Sequence, residues 1–264
     1  MNTLLLSSGG MKGYIFLGVW KYIQEKNIEI KTFSGVSIGA FFNMWFALGY
    51  TFDEIYNSII DLNLMDLFHF DFTGFFDTYG LIDIEPFETF IYSKIEEKGF
   101  DKNITFKELY DQTGKDLHTY SICVNTQELV RFDKENTPNC PIWKAVKMSM
   151  SIPLIFPPIS YNNQLYIDGA LKNGFPIDFY DKNKTISCQV TEKSKININS
   201  FFDYMYNVVK ASLIRPVFCN KENCIIFSDI KTLDISIPSE KIDEMIQLGY
   251  DSISMWMDGN IDSQ

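Results

Sequence analysis

Gly35-Val36-Ser37-Ile38-Gly39 sets a serine two positions from a glycine on either side. A serine hydroxyl is a weak nucleophile until the backbone presents it and a base takes its proton. The Gly-x-Ser-x-Gly spacing serves the first need. Small residues let a strand turn so sharply into a helix that the serine stands out at the corner. A second candidate is Asp168-Gly169-Ala170, a carboxylate at the end of an apolar run. On α/β sheets active-site groups collect at such strand ends. A third is Ser8-Gly9-Gly10-Met11-Lys12-Gly13, a glycine turn whose N–H groups can converge on an anion. Nucleophile, base and oxyanion donors are the parts of an acyl-transfer site. Each stretch alone also has an ordinary reading: a chance match in a turn, a plain Asp-Gly turn and a generic anion cradle.

The histidines fit poorly as the base. Only His69 and His118 are present and neither follows Asp168, which breaks the serine–acid–histidine order of an α/β-hydrolase triad. A direct serine–aspartate dyad is chemically feasible, because partial desolvation makes a carboxylate a better base near neutral pH. A dinucleotide site is disfavoured. It needs a glycine where Ser8 stands, and no ribose-binding acid closes a second strand.

The elements that must position these residues are legible in outline. Thr3 to Ser7 reads as a buried strand before the glycine turn, and Tyr14 to Lys26 as an amphipathic helix. Lys31 to Ser34 reads as the strand into the elbow. Ile38, Phe41, Phe42, Trp45 and Phe46 share one face of the helix out of it. Further helices are expected over Thr51 to Leu62, Ile84 to Lys98, Phe106 to Thr113, Pro141 to Met150 and Ser200 to Leu213. The last runs from Glu240 to Met257, capped by Ser239. Strands are expected over Thr119 to Asn125, Glu128 to Asp133, Gln164 to Ile167, Thr185 to Thr191 and Ile225 to Ser228, with a rigid loop from Ser151 to Pro158. Leu64 to Tyr79, dense in Phe and Asp, reads as an irregular packed segment or as part of an acyl-chain pocket or lid. Alternating strands and helices without repeats or linkers imply one α/β domain over residues 1–264 with a largely parallel sheet.

Composition bounds the function. The 264 residues are 46% hydrophobic and 16% aromatic, enough for a sizeable core and against disorder. A formal charge of −11 argues against nucleic acid, whose phosphates need a basic surface. Five cysteines without a C-x-x-C, and no signal-peptide pattern at the N-terminus, suggest reduced thiols in a cytoplasmic setting. Cys219 and Cys224 are spaced as conceivable metal ligands, but both histidines lie far off in sequence, which weighs against zinc. Thr32 to Phe52 is uncharged and long enough to span a bilayer, but it holds Ser34, Ser37 and Asn43 and reads better as a core helix.

Three stretches in this order resemble the patatin-like phospholipase family. They are the glycine-rich loop Ser8 to Gly13, the nucleophile motif Gly35 to Gly39, and Asp168-Gly169-Ala170. Ala145 to Pro158, with Ser149, Ser151, Pro153, Phe156 and Pro157, also looks like the family's loop before that aspartate, and Thr105 to Tyr110 is similar to another of its segments. The resemblance is strongest over residues 1–178. It implies a three-layer α/β fold with a mostly parallel central sheet flanked by helices, and a lipid acyl hydrolase acting on phospholipid esters at a transient membrane surface. By resemblance Ser37 is the nucleophile and Asp168 its base. The N–H groups of Gly9, Gly10 and Met11 form the oxyanion hole, helped by that of Ile38. Gly13, Gly35, Gly39, Gly169 and Ala170 are motif positions. Lys12 matches a basic position that braces the loop, meets a phosphate or is simply solvated. No metal or cofactor is implied. The departure is Ser8, where the family has glycine and where a Cβ could narrow the loop or change its φ. A soluble carboxylesterase of the same fold and a catalytically silent lipid-binding protein are the alternatives.

Overall fold

Successive strand residues point to opposite faces, so a strand buried at every position must be covered on both. Leu4, Leu5 and Leu6 of β1 (Thr3–Leu6) are all fully buried, and β1 is the middle of the fold. A computed structural model describes residues 1–60, 67, 69–71, 73–192, 198, 201–211, 223–230 and 237–261. From β1 the chain passes through a 3-10 turn (Gly10–Gly13) into α1 (Tyr14–Glu25), then β2 (Thr32–Val36), α2 (Ile38–Ala47) and α3 (Phe52–Ile59). An excursion follows: β3 (His69–Phe70), α4 (Phe75–Thr78) and β4 (Ile82–Asp83). Next come α5 (Glu85–Glu97), α6 (Phe106–Thr113), β5 (Asp116–Cys123), β6 (Glu128–Phe132) and α7 (Ile142–Met150). β7 (Ile159–Tyr161), β8 (Gln164–Asp168), α8 (Ala170–Asn173), β9 (Thr185–Glu192), α9 (Phe201–Ala211), β10 (Cys224–Ser228) and α10 (Ser239–Ile261) complete it.

The central sheet runs β10-β9-β1-β2-β5-β8-β7, with β6 also on β5. It is parallel from β10 through β5 and antiparallel beyond, and helices flank it. β1 has β2 on one side and β9 on the other, so the loop after β1 opens at a point where the winding changes direction. Ligands of open α/β sheets bind at such points.

One feature of the pairing brings distant residues together. β6 pairs with Thr119 to Cys123 of β5, so β2 (opposite Asp116 to Tyr120) and β8 (opposite Ser121 to Cys123) both lie along the other edge. They lie end to end there. β2 stops at Val36 opposite Tyr120 and β8 stops at Asp168 opposite Ser121, so their C-terminal ends meet.

Helix starts follow capping chemistry: Thr51 with Glu54 and Thr105 with Glu108 form capping boxes at α3 and α6. The main core joins Leu4 and Leu6 to α1, α2, α5, α7 and α10, with Trp20 stacked on Phe46 at 4.4 Å. Leu5 packs on the opposite face with Phe175 and Ile177. Residues Gly39 to Ala47 of α2 are all buried, so this helix is enclosed on every side and not on one face as its apolar stripe suggests. Asn43 survives there because its amide donates to the Ser34 carbonyl at 2.5 Å.

Other differences are local. β5 begins three residues before the expected start, where Asp116 and His118 break the apolar pattern but the backbone still pairs with β2. β7 is too short to give a periodic signal; Asn162 and Asn163 (φ 48° and 60°) join it to β8 in a tight hairpin. Pro141 precedes α7 as its N-cap, and α10 continues past Met257 to Ile261. Part of the aromatic stretch 64–79 lies outside the described residues, as does Cys219. The described part is not wholly irregular or packed: it holds β3 and α4, with Phe76 84% and Tyr79 60% exposed. None of the described helices is long and apolar enough to cross a membrane.

Candidate active site

Ser37 follows β2 directly and caps α2 at φ 56°, ψ −124°, a strained conformation for a residue with a Cβ. The glycines of its motif are a packing requirement. A Cβ on Gly35 would stand 2.3 Å from the Gly39 carbonyl carbon and oxygen, and one on Gly39 would stand 2.5 Å from the Leu6 carbonyl oxygen. The first turn of α2 is thus laid on the ends of β1 and β2, and the serine is forced out at the corner.

Asp168 reaches the same corner from β8. The Ser37 Oγ donates to Asp168 Oδ2 at 2.7 Å, and the two residues are 6% and 2% exposed. The Ala170 N–H donates to the other oxygen, Oδ1, at 2.8 Å, which fixes the carboxylate plane and leaves Oδ2 facing the serine. Asp168 is therefore no plain turn residue.

The glycine loop flanks this pair. Ser7 and Ser8 are held by the sheet and its surroundings. The Ser7 N–H donates to the Cys188 carbonyl (3.0 Å), the Ser8 N–H to that of Gly174 (2.8 Å), and the Ser7 Oγ accepts from the Val190 N–H (3.0 Å). Gly10, at φ 56°, then opens the 3-10 turn whose first N–H groups lack partners within the turn. The loop packs on Ile38, the residue after the serine, and Gly13 lies against the same side chain. The starts of α1 and α2 direct their positive ends here, where a developing oxyanion gains most. Ser8 itself avoids positive φ, and its hydroxyl takes the space that a side chain at Gly174 would need. The φ change that its Cβ raised as a concern is absent. Lys12 is 2% exposed, which removes the solvated reading of that side chain.

The histidines are elsewhere. His69 is exposed on β3 opposite Asp83. His118 stands opposite Ser34. Its Nδ1 meets the Tyr180 hydroxyl at 2.7 Å, and its Nε2 faces Asp116 Oδ2 at 3.3 Å. Ser149 is what sequence reasoning missed. Its hydroxyl accepts the Ser37 N–H at 2.9 Å and donates to the Tyr120 carbonyl at 2.6 Å. Its identity within the family-like stretch was visible, but its role needs the fold that places α7 beside the elbow.

The family model described as Patatin-like phospholipase matches residues 4–180. A probable lipid hydrolase of Invertebrate iridescent virus 6 is 35% identical over 183 residues, spanning 67% of this chain and 62% of that protein, which is less than two thirds of its length. An uncharacterized protein of Acanthamoeba polyphaga mimivirus is 32% identical over 225 residues, covering 79% of this chain and 74% of its own. Among solved structures, VipD from Legionella pneumophila superposes with a TM-score of 0.71 at 17% identity, covering 98% of this chain and 67% of its own, a likeness of fold. With the family's motifs brought to one corner and its model matching from β1 past β8, this chain belongs to the patatin-like phospholipase family.

Proposed function

We propose that this protein cleaves carboxylic ester bonds of lipids, phospholipids included, through Ser37 and Asp168 and an acyl-enzyme intermediate. The observation that carries the reading is the 2.7 Å hydrogen bond between two buried groups 131 residues apart in sequence. Asp168 Oδ2 takes the hydroxyl proton as Ser37 Oγ attacks the ester carbonyl. The amides of Gly9, Gly10 and Met11, with that of Ile38, receive the oxyanion. As the tetrahedral intermediate collapses, the proton on Asp168 passes to the leaving alcohol and an acyl-Ser37 ester remains. Water, deprotonated by Asp168, then attacks that ester; the acyl–Oγ bond breaks, Asp168 returns the proton to the Ser37 oxygen, and the fatty acid leaves.

Contact with a membrane surface belongs to the same reading. Gly80 bridges to Leu154, and the Leu81 N–H donates to the Leu154 and Ile155 carbonyls, in the loop that leads on from α7. The exposed rings of Phe76 and Tyr79 therefore stand on the segment beside the site, where an apolar interface would be met. A reducing, cytoplasmic setting with peripheral membrane contact suits the free, buried thiols of Cys123, Cys140, Cys188 and Cys224.

The test is fatty-acid release from mixed phospholipid vesicles by the wild type, with Ser37→Ala as control. Release that vanishes in the variant supports the reading, and the products identify the bond cut. Wild-type turnover of a short soluble ester without release from vesicles would overturn the lipid specificity. No turnover of either substrate would overturn the activity.

A further inference from the structure

We infer that the last turn of α7 is a clamp that sets the distance between nucleophile and base, with Ser149 as its positioning residue. The inference rests on the dyad reading above and adds to it a control of geometry. A hydroxyl has one proton to donate and lone pairs to accept with. Ser149, fully buried, donates its proton to the Tyr120 carbonyl, so the oxygen presents a lone pair to the Ser37 N–H. The direction of both bonds is thereby fixed. Two residues on, the Ser151 carbonyl accepts the Asp168 N–H at 2.9 Å, and the Ser151 hydroxyl ties back to the Lys147 carbonyl at 2.8 Å. One helical turn therefore grips the backbone of both reacting residues and fastens them to β5.

The grip has a chemical consequence. Ser37 sits at positive φ with its N–H bound to the Ser149 oxygen, which withholds that N–H from the oxyanion. Without the Ser149 oxygen, that N–H must find another acceptor, and the elbow loses the one of its restraints that ties the Ser37 N–H to α7. A misplacement of about 1 Å costs about 100-fold in rate. Ser149 has no bond to the carboxylate of Asp168 and lies below the elbow, so the effect falls on kcat and leaves KM and the midpoint of the pH–rate profile in place.

The experiment measures covalent labelling of Ser37 by a fluorophosphonate, located by mass spectrometry, together with kcat and KM for a short soluble ester. In the labelling the Ser37 Oγ–phosphorus bond forms, fluoride leaves and Asp168 takes the proton. Ser149→Ala is expected to label about 30- to 100-fold more slowly per folded molecule, with KM within about 2-fold and the pH midpoint unmoved. Ser149→Thr, which keeps the oxygen, should recover most of the rate. Should the alanine variant fail to fold, Ser149→Cys fills the space with a weaker donor and acceptor and should lose about 10-fold. A folded alanine or cysteine variant that labels at the wild-type rate overturns the clamp, as does a loss confined to KM. Wild-type protein that never labels at Ser37 overturns the dyad reading and the clamp together. Slower labelling of Ser149→Ala in a protein that releases no fatty acid from vesicles supports the clamp and counts only against the lipid substrate.

Discussion

β5 borders two buried polar networks, and they differ in every respect that matters for chemistry. One joins His118 to Asp116 and to the hydroxyls of Tyr180 and Tyr120, with Lys134 also on Asp116. In composition it looks more like an enzyme's machinery: an imidazole, a carboxylate and two phenols. Yet its imidazole and phenols are spent on one another and on one oxygen of Asp116. Burial and the neighbouring Tyr120 push the Tyr180 phenol well above its ordinary range, burial raises that of Tyr120, and both stay neutral. None of its members sits at positive φ. The other network is only a serine, an aspartate and Ser149, but it holds a strained nucleophile, a carboxylate oxygen aimed at it and a glycine loop alongside. Strain and donors left for a reacting atom mark the site better than a rich cluster of titratable groups does.

Substitutions can break this contrast. The largest effect on stability belongs to Gly39→Ala. Its Cβ would meet backbone of Leu6 and Ser7 at 2.5 and 2.6 Å, atoms that cannot step aside. About 3 kcal/mol of stability should be lost, visible as a fall in Tm of about 10 °C. Gly9→Ala should instead fold, because its Cβ meets a Val190 methyl at 2.4 Å, a side chain that can turn. It should lose about 100-fold in kcat as the oxyanion amides shift. On the other network, Tyr180→Phe removes the hydroxyl shared by His118 and Tyr120, so chemical denaturation should show a loss of about 1–2 kcal/mol while ester turnover holds.

The smallest effect lies outside both networks. Hydrogen bonds from Lys98 and Thr51 lower the Glu54 carboxyl to about 2. A carboxyl whose folded value is depressed stabilises above its unfolded value, near 4.3, and loses that contribution as pH falls towards 2. Its side chain is 44% exposed, so screening limits the effect to under about 1 kcal/mol. Thermal melts at pH 5 and pH 3 should therefore show a gap between wild type and Glu54→Gln that is narrower at the lower pH, with turnover alike at pH 7.

Much of this was legible in the sequence because it is local. The elbow, the glycine loop and the aspartate each announce themselves within six residues, and the helices α1, α5 and α6 follow their periodicity closely. What was not legible depends on pairing between distant segments. That β2 and β8 meet end to end on one edge of β5 is a matter of register, which no window of sequence contains. Ser149 gains its role only from that meeting. Conversely, Asp116 and His118 hid the start of β5, since two polar residues inside a strand read as a loop until their partners Lys134 and Tyr180 are in place.

The most direct test sets the two networks against each other in one assay. Asp168→Asn and His118→Gln, each confirmed as folded, are compared with wild type for hydrolysis of the same lipid ester. The account predicts a loss of at least about 1,000-fold for Asp168→Asn, in keeping with removal of a general base, and turnover close to wild type for His118→Gln. An inactive His118→Gln beside an active Asp168→Asn would contradict it.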